Sequence, residues 1–273
     1  MRILVATAVV PERDAVAKAF AGPARPCVLP GAALLSLADD AADDPPAGMR
    51  TDAPPAGRTA PAARWDLLAA GVGPASAAAG TGAALTAAAL AGDPYGLVVS
   101  AGIGGGFAPA APPGCLVVAD AITAADLGAE TPDGFLPVTA LGFGTTTHAV
   151  PASLVAAAAA ALPAVVGTVL TVSTATGTAS RAAELRGRHP GAVAEAMEGF
   201  GVAEAAAAHG VPALEVRAVS NPVGPRDRAA WRIKEALAAL TEAFGKLRPV
   251  LESWREHEHH ADHPDRCSRA RAG

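Results

Sequence analysis

Aromatic residues are scarce in this chain. Trp, Tyr and Phe make up 4% of 273 residues against a hydrophobic fraction of 51%, so the apolar content is mostly Ala, Val and Leu. Cysteine is scarcer still: Cys27, Cys115 and Cys267 are odd in number and have no CxxC spacing, which argues against a disulfide framework and fits a reducing cytoplasm. No run of about 20 residues is both apolar and free of helix breakers, so no membrane span is expected. The N-terminus reaches Pro11-Glu12-Arg13-Asp14 before a signal-peptide core forms. Positive charge is also lacking, with 21 basic against 26 acidic residues and a net charge of −5, which leaves no electrostatic footprint for nucleic acid or an anionic membrane. The first candidate βα turn, Thr7-Ala8-Val9-Val10-Pro11-Glu12, lacks GxGxxG, and GxxxxGK[ST] is absent. Nicotinamide-dependent and P-loop chemistry are therefore excluded as readings, and no metal or organic cofactor is expected.

What is present is an alternation of short apolar runs with Ala-rich helical stretches, as in βα units around a largely buried sheet. Strands are expected at residues 2–6, 66–70, 97–100, 115–119, 165–172 and 213–219. Helices are expected at 11–20, 75–90, 151–162, 180–188, 199–209 and 227–244. The pattern predicts a three-layer α/β domain over residues 1–256. Two segments break it. Residues 39–63, rich in Pro, Asp, Ala and Gly, are expected to be an exposed loop because they cannot bury enough apolar surface to offset ordering. The segment 257–273 carries His257, His259, His260, His263 and Cys267; metal binding is one reading, a frayed polar tail the plainer one.

Glycine-rich turns are expected after two strands, at Gly71-Val72-Gly73 and at Ser100-Ala101-Gly102-Ile103-Gly104-Gly105-Gly106. At the carboxyl ends of strands in an open α/β sheet, glycine lets a ligand approach the backbone. Polar groups interrupt the apolar pattern at three places: Glu12 after the first strand, Met197-Glu198-Gly199-Phe200, and Ser220-Asn221-Pro222-Val223-Gly224. Taken singly, Glu12 and Glu198 read more plainly as first-turn acids facing a helix dipole, and Asn221 as a turn former. Their joint occurrence points to a site.

These segments resemble the nucleoside phosphorylase and hydrolase superfamily, and within it the purine nucleosidases that include methylthioadenosine/S-adenosylhomocysteine nucleosidases and futalosine hydrolases. The resemblance rests on Glu12, the SAGIGGG segment, AVAEAMEGFGVA, and VRAVSNPVGPRD with Asn221 lying 23 residues after Glu198. DLGAETPDGF at residues 126–135, MEGFG, and SNPVGPRD leading into Trp231 look most like futalosine hydrolases. The fold so implied is a three-layer α/β/α nucleoside phosphorylase-like fold with a central mixed sheet. The reaction implied is hydrolysis of the N-ribosidic bond of futalosine to hypoxanthine, a step of menaquinone synthesis, by a homo-oligomer.

By the same resemblance Glu12 activates the water, Glu198 with the Met197 backbone holds the ribose hydroxyls, and Asn221 faces N7 and the six-substituent of the base. Ser100, Gly102, Thr176, Thr178, Phe200 and Arg226 are the further substrate-binding candidates. Arg226 suits a substrate carboxylate, while the neighbouring Asp227 also reads as the cap of the last helix. Phe107, Phe135 and Phe143 join Phe200 as candidates for an apolar wall, with core packing as the plainer reading. Asp120 and Asp126 are placed near the cleft, and no role is given to His148, His189 or His209. Asn at 221 is informative chemically. A purine leaving with N7–H and an amino group presents two donors, which suit a carboxylate, whereas hypoxanthine presents N7–H and the acceptor O6, which an amide matches.

Phosphorolysis needs cations for the attacking phosphate, commonly an Arg before the glycine segment of the middle strand. The run Gly96-Leu97-Val98-Val99-Ser100-Ala101-Gly102 has none, and Arg13 is the nearest candidate. Water is the expected nucleophile. Two competing readings stay open: a nucleosidase or phosphorylase acting on inosine-like compounds, and a non-catalytic nucleoside-binding protein.

Overall fold

A computed structural model describes residues 1–29, 32–37 and 63–254. Its elements in chain order are β1 Arg2–Thr7, α1 Val10–Ala17, β2 Ala24–Leu29, β3 Ala32–Leu37, β4 Arg64–Ala69, α2 Pro74–Leu90, β5 Leu97–Gly106, β6 Leu116–Ala124, β7 Gly128–Thr131 and β8 Gly134–Pro137. They continue with β9 Thr147–Ala149, α3 Ala152–Ala161, β10 Ala164–Thr171, α4 Ala179–Arg188, β11 Ala192–Ala196, α5 Gly199–Ala208, β12 Ala213–Pro222 and α6 Ile233–Ser253. The expected loop at 39–63, apart from buried Ala63, and the histidine-containing tail at 257–273 lie outside the described residues.

The strands form a mixed sheet in the order β11-β10-β6-β12-β5-β1-β4-β3-β2. β5 also pairs antiparallel with β11, through Ala194 opposite Gly106 and Glu195 opposite Gly105. This second pairing closes β5, β12, β6, β10 and β11 into a ring, from which β1, β4, β3 and β2 extend as an open sheet. The apolar strand runs are explained by burial on both faces. On one face α1, α3 and α6 cover Val5, Val99, Val117 and Val216 with Val16, Leu154, Leu240 and Phe244. On the other, α2 and α5 place Ala77, Leu85, Val202 and Ala206 against Leu4, Leu68 and Val98. The small alanines let these helices lie close to the sheet, which is how so few aromatics fill the core.

The three-layer mixed α/β architecture agrees with the sequence reading, and three details are corrected. Residues 100–106 are not a turn: β5 runs on through Gly106 because β12 pairs with it in parallel from Val98 to Gly106 and β11 takes its far end. Tertiary pairing overrides the poor strand preference of glycine. Asn221 is likewise inside β12 and not in a turn after it. The last helix starts at Ile233, since Asp227 caps only the short 3-10 turn Arg228–Ala230 by accepting from the Ala229 N–H.

Candidate active site

A cleft with a volume of about 170 Å³ opens where β1, β5, β11 and β12 end. Glu12, Ile103, Gly104, Gly105, Thr176, Glu195, Met197, Glu198, Asn221, Arg226 and Trp231 are among its lining residues.

Glu12 sits in the first turn of α1, and its carboxylate turns back on the start of that helix. Oε2 accepts from the Ala8 and Val9 N–H groups at 3.0 and 3.3 Å, and Oε1 accepts from the Ile103 N–H of β5 at 2.9 Å. Glu198 lies between β11 and α5. Its Oε1 accepts from the Gly73 N–H at 3.2 Å, and Oε2 from the Met197 N–H at 3.3 Å. Both carboxylates are nearly buried, and both lie against one arginine that the sequence reading did not single out.

Arg217 is fully buried in β12. Its Nε donates to Glu215 Oε1 at 2.8 Å, Nη2 to Ser100 Oγ at 3.0 Å, and Nη1 to Glu198 Oε2 at 3.4 Å. Burial disfavours its charge, but Glu215, then Glu198 and Glu12, outweigh burial and hold its pKa above the usual arginine range. Burial also pushes the Glu12 carboxyl above its ordinary range, opposed by Arg217 and the Ile103 N–H and reinforced by Glu198. Glu215 is shifted the same way by burial, with Arg217 opposing. The result is a buried cation shared by three carboxylates, two of which face the cleft. A raised pKa in a carboxylate that reaches a cleft suits a general base working near neutral pH.

Gly102 lies directly beneath this arrangement. A Cβ there would stand 2.7 Å from both Arg217 Nη1 and Glu12 Oε1, so the bare backbone is what lets the two side chains meet. On the other side of the cleft β12 carries a bulge, its register stepping between Val219 and Asn221 as they pair with Gly104 and Gly105. The step aims Ser220 at the Gly104 carbonyl and Asn221 at the cleft. Asn221 Oδ1 accepts from the Ser220 hydroxyl at 2.8 Å, and Nδ2 donates to the Pro222 carbonyl at 3.0 Å. Glu195, at the end of β11, accepts from the Thr176 N–H at 2.8 Å and from the Thr176 hydroxyl. Burial pushes its pKa up, against these two Thr176 bonds.

Residues 67–252 match the phosphorylase superfamily. A futalosine hydrolase from Streptomyces coelicolor is 70% identical over 258 residues, covering 94% of this chain and 100% of the relative. The chain belongs to the futalosine hydrolase family. The fold is shared more widely. A methylthioadenosine/S-adenosylhomocysteine nucleosidase from Colwellia psychrerythraea 34H, solved with adenine, superposes with a TM-score of 0.73 at 19% identity, over 92% of this chain and 96% of that one. Futalosine hydrolase of Helicobacter pylori strain 26695 gives 0.69 at 16% identity, over 92% and 97%.

Set against the residues expected for this family, the structure brings Glu12, Met197, Glu198, Thr176, Asn221 and Arg226 into one cleft. It places others behind it. Ser100 is buried with its hydroxyl on Arg217, and Gly102 supports Glu12 from below. Thr178 caps α4 by accepting from the Arg181 N–H, and Phe200 is core on α5, stacked near His148. Phe107 is buried, Phe135 lies under the Arg188 guanidinium, and Phe143 is exposed, so none of these aromatics lines the cleft; Trp231 does, with Arg226 over its ring at 5.2 Å. Asp120 and Asp126 are also outside the lining, Asp126 accepting from the Ser173 N–H. Arg13 pairs with Asp14 and the Ala33 carbonyl, away from the cleft. Glu195, Glu215, Arg217 and Trp231 are the residues that sequence reasoning missed as a group. Among the described residues no cluster of His, Cys, Asp and Glu has the makings of a metal site, and no helix is long and apolar enough to cross a membrane.

Proposed function

We propose that this chain hydrolyses the N-ribosidic bond of futalosine, releasing hypoxanthine and dehypoxanthine futalosine in the futalosine route to menaquinone. The observation that carries the hydrolytic reading is the charge of the cleft. Glu12, Glu195 and Glu198 line it, Arg217 is consumed by carboxylates with no solvent exposure, and Arg226 is the only cationic side chain among the described lining residues. An attacking phosphate would meet carboxylates, whereas a neutral water meets a base.

In the reaction C1′–N9 breaks ahead of bond formation and its electron pair leaves with the purine, so the sugar passes through an oxocarbenium-like state. Glu12 orients the water and takes its proton as the oxygen bonds C1′. Glu198 accepts from the ribose 2′- and 3′-hydroxyls beside the Met197 backbone, and its negative charge favours the cationic sugar. Asn221 receives N7–H on its carbonyl and offers its amide N–H to O6. An amide does not titrate, so the proton that neutralises the leaving base arrives from solvent. Arg226, which lines the cleft over the Trp231 ring, meets the substrate carboxylate. The protein acts as a homo-oligomer, a reading supported by the exposed Val9, Val10 and Val72 next to the residues that hold Glu12 and Glu198.

The test is release of hypoxanthine from futalosine and from inosine, each with and without phosphate, in metal-free buffer. Phosphate-independent release from futalosine is the expected result. Release from inosine that requires phosphate would move the protein to the phosphorylases, and binding without release would leave a nucleoside-binding protein. Asn221→Asp should penalise hypoxanthine as leaving group relative to adenine by about 1–3 kcal/mol, read as a change in the ratio of kcat/KM for the two bases.

A further inference from the structure

Glu195 is a buried cleft carboxylate with no part in the mechanism above, and its position in the sheet is specific. Gly105 of β5 pairs with Asn221 of β12 on one side and with Glu195 of β11 on the other. Residues directly opposite one another across neighbouring strands project to the same face. Asn221 and Glu195 therefore rise from the same face of one rung, two strand spacings apart, roughly 10 Å between backbones in a flat sheet and less in a closed ring. Between them stands a residue with no side chain. A Cβ on Gly105 would meet Val223 at 2.9 Å and Asn221 Nδ2 at 3.4 Å, so glycine makes room for the Val223 side chain, which lines the cleft together with Asn221 and Glu195. An apolar methyl between two polar side chains suits the face of a purine whose edges carry the hydrogen-bonding groups.

The chemistry of the two polar side chains differs. Asn221 offers both an acceptor and a donor. The Glu195 carboxylate is an acceptor only, and the Thr176 N–H and hydroxyl fix both of its oxygens without neutralising it. Thr176 also lines the cleft, so the carboxylate is held at its edge and not withdrawn behind it. We propose that Glu195 is a specificity residue which accepts the N1–H of a 6-oxopurine whose N7 and O6 edge faces Asn221. A 6-aminopurine has a bare N1, an acceptor turned toward a carboxylate, and is disfavoured at the same point. Discrimination between the bases is thereby divided over two residues on opposite sides of the glycine strand. The inference rests on the reading that the leaving group is hypoxanthine.

The experiment measures dissociation constants for hypoxanthine and adenine, together with kcat/KM for futalosine and its 6-amino analogue, in the wild type, Glu195→Gln and Thr176→Val. Glu195→Gln should weaken hypoxanthine by about tenfold to a hundredfold while leaving adenine unchanged or tighter, and the kcat/KM ratio should move the same way. Thr176→Val keeps the carboxylate but loosens it, and should shift the ratio in the same direction by a smaller factor. Equal weakening of both bases, or an unmoved ratio in both variants, would overturn the role of Glu195. Base affinity is read without turnover, so a wild type that prefers hypoxanthine yet leaves futalosine intact would refute the hydrolytic reading and not this one.

Discussion

Arg217 has no solvent exposure, and it carries its charge into the interior because Glu215, Glu198 and Glu12 share it. Removing one partner of a buried ionic group leaves the others uncompensated, which costs about 3–5 kcal/mol. Arg217→Met should therefore lower the denaturant stability by that order, and a loss under 1 kcal/mol would mean that the carboxylates find other compensation. Glu12→Gln is the complementary change: it keeps the size and removes the base. Turnover should fall by about a hundredfold to ten-thousandfold while base and nucleoside binding persist, and unchanged kcat would remove Glu12 from water activation. Glu12, Glu198 and Asn221 were legible in the sequence because each interrupts an apolar pattern at the end of a run. Glu195, Glu215 and Arg217 were harder to see because they lie inside apolar strands. A signal did exist: in LEVRAV two opposite charges stand two apart, hence on one face of a strand that otherwise reads as buried on both. Charges so placed must pair or face a site.

Strand β5 joins the fold to the chemistry. Its first half, Leu97 to Val99, is core, and its second half is glycine-rich because other groups occupy the space side chains would take. Gly102→Ala would drive a methyl into Glu12 and Arg217, whose atoms stand 2.7 Å from the Cβ position. Displacement of a catalytic group by about an ångström can cost a hundredfold in rate, so kcat/KM should fall by about that factor with the fold retained, as judged by circular dichroism. Wild-type activity in this variant would show that Glu12 tolerates movement. From sequence alone the glycines looked like a turn, since nothing local shows that β11 and β12 will pair with them. The hairpin of β2 and β3 was illegible for a different reason. Exposed β2 carries Pro26, a residue tolerated on edge strands, and its side chains show no alternation between buried and exposed. β11 is not among the expected strands, being five residues long and recognisable only through its partners β10 and β5. The helices and the long central strands, by contrast, declare themselves by length and apolar content.

At the scale of the molecule the site draws on folding stability in a way that depends on pH. Burial raises the carboxyl pKa of Glu12, of Glu195 and of Glu215 above the ordinary glutamate range. Between the ordinary value and the raised ones the folded chain holds protons that the unfolded chain has released. A group of this kind contributes stability that is complete below its unfolded pKa and is lost as pH rises through its folded pKa, by up to about 1.4 kcal/mol per pH unit for each proton. As the proposed base, Glu12 must nevertheless be ionised to take a proton from water. The form that acts is thus the form that folding resists, and the two demands are separable by experiment. The acid limb of kcat/KM should lie above the ordinary carboxylate range, with activity falling as pH drops through it. Over the same interval the stability of the wild type, measured by urea unfolding, should decline relative to Glu12→Gln as pH rises, because the glutamine has no proton to lose. Parallel stability curves for the two proteins would mean that Glu12 ionises without cost to the fold, and the acid limb would then have to belong to another group in the cleft.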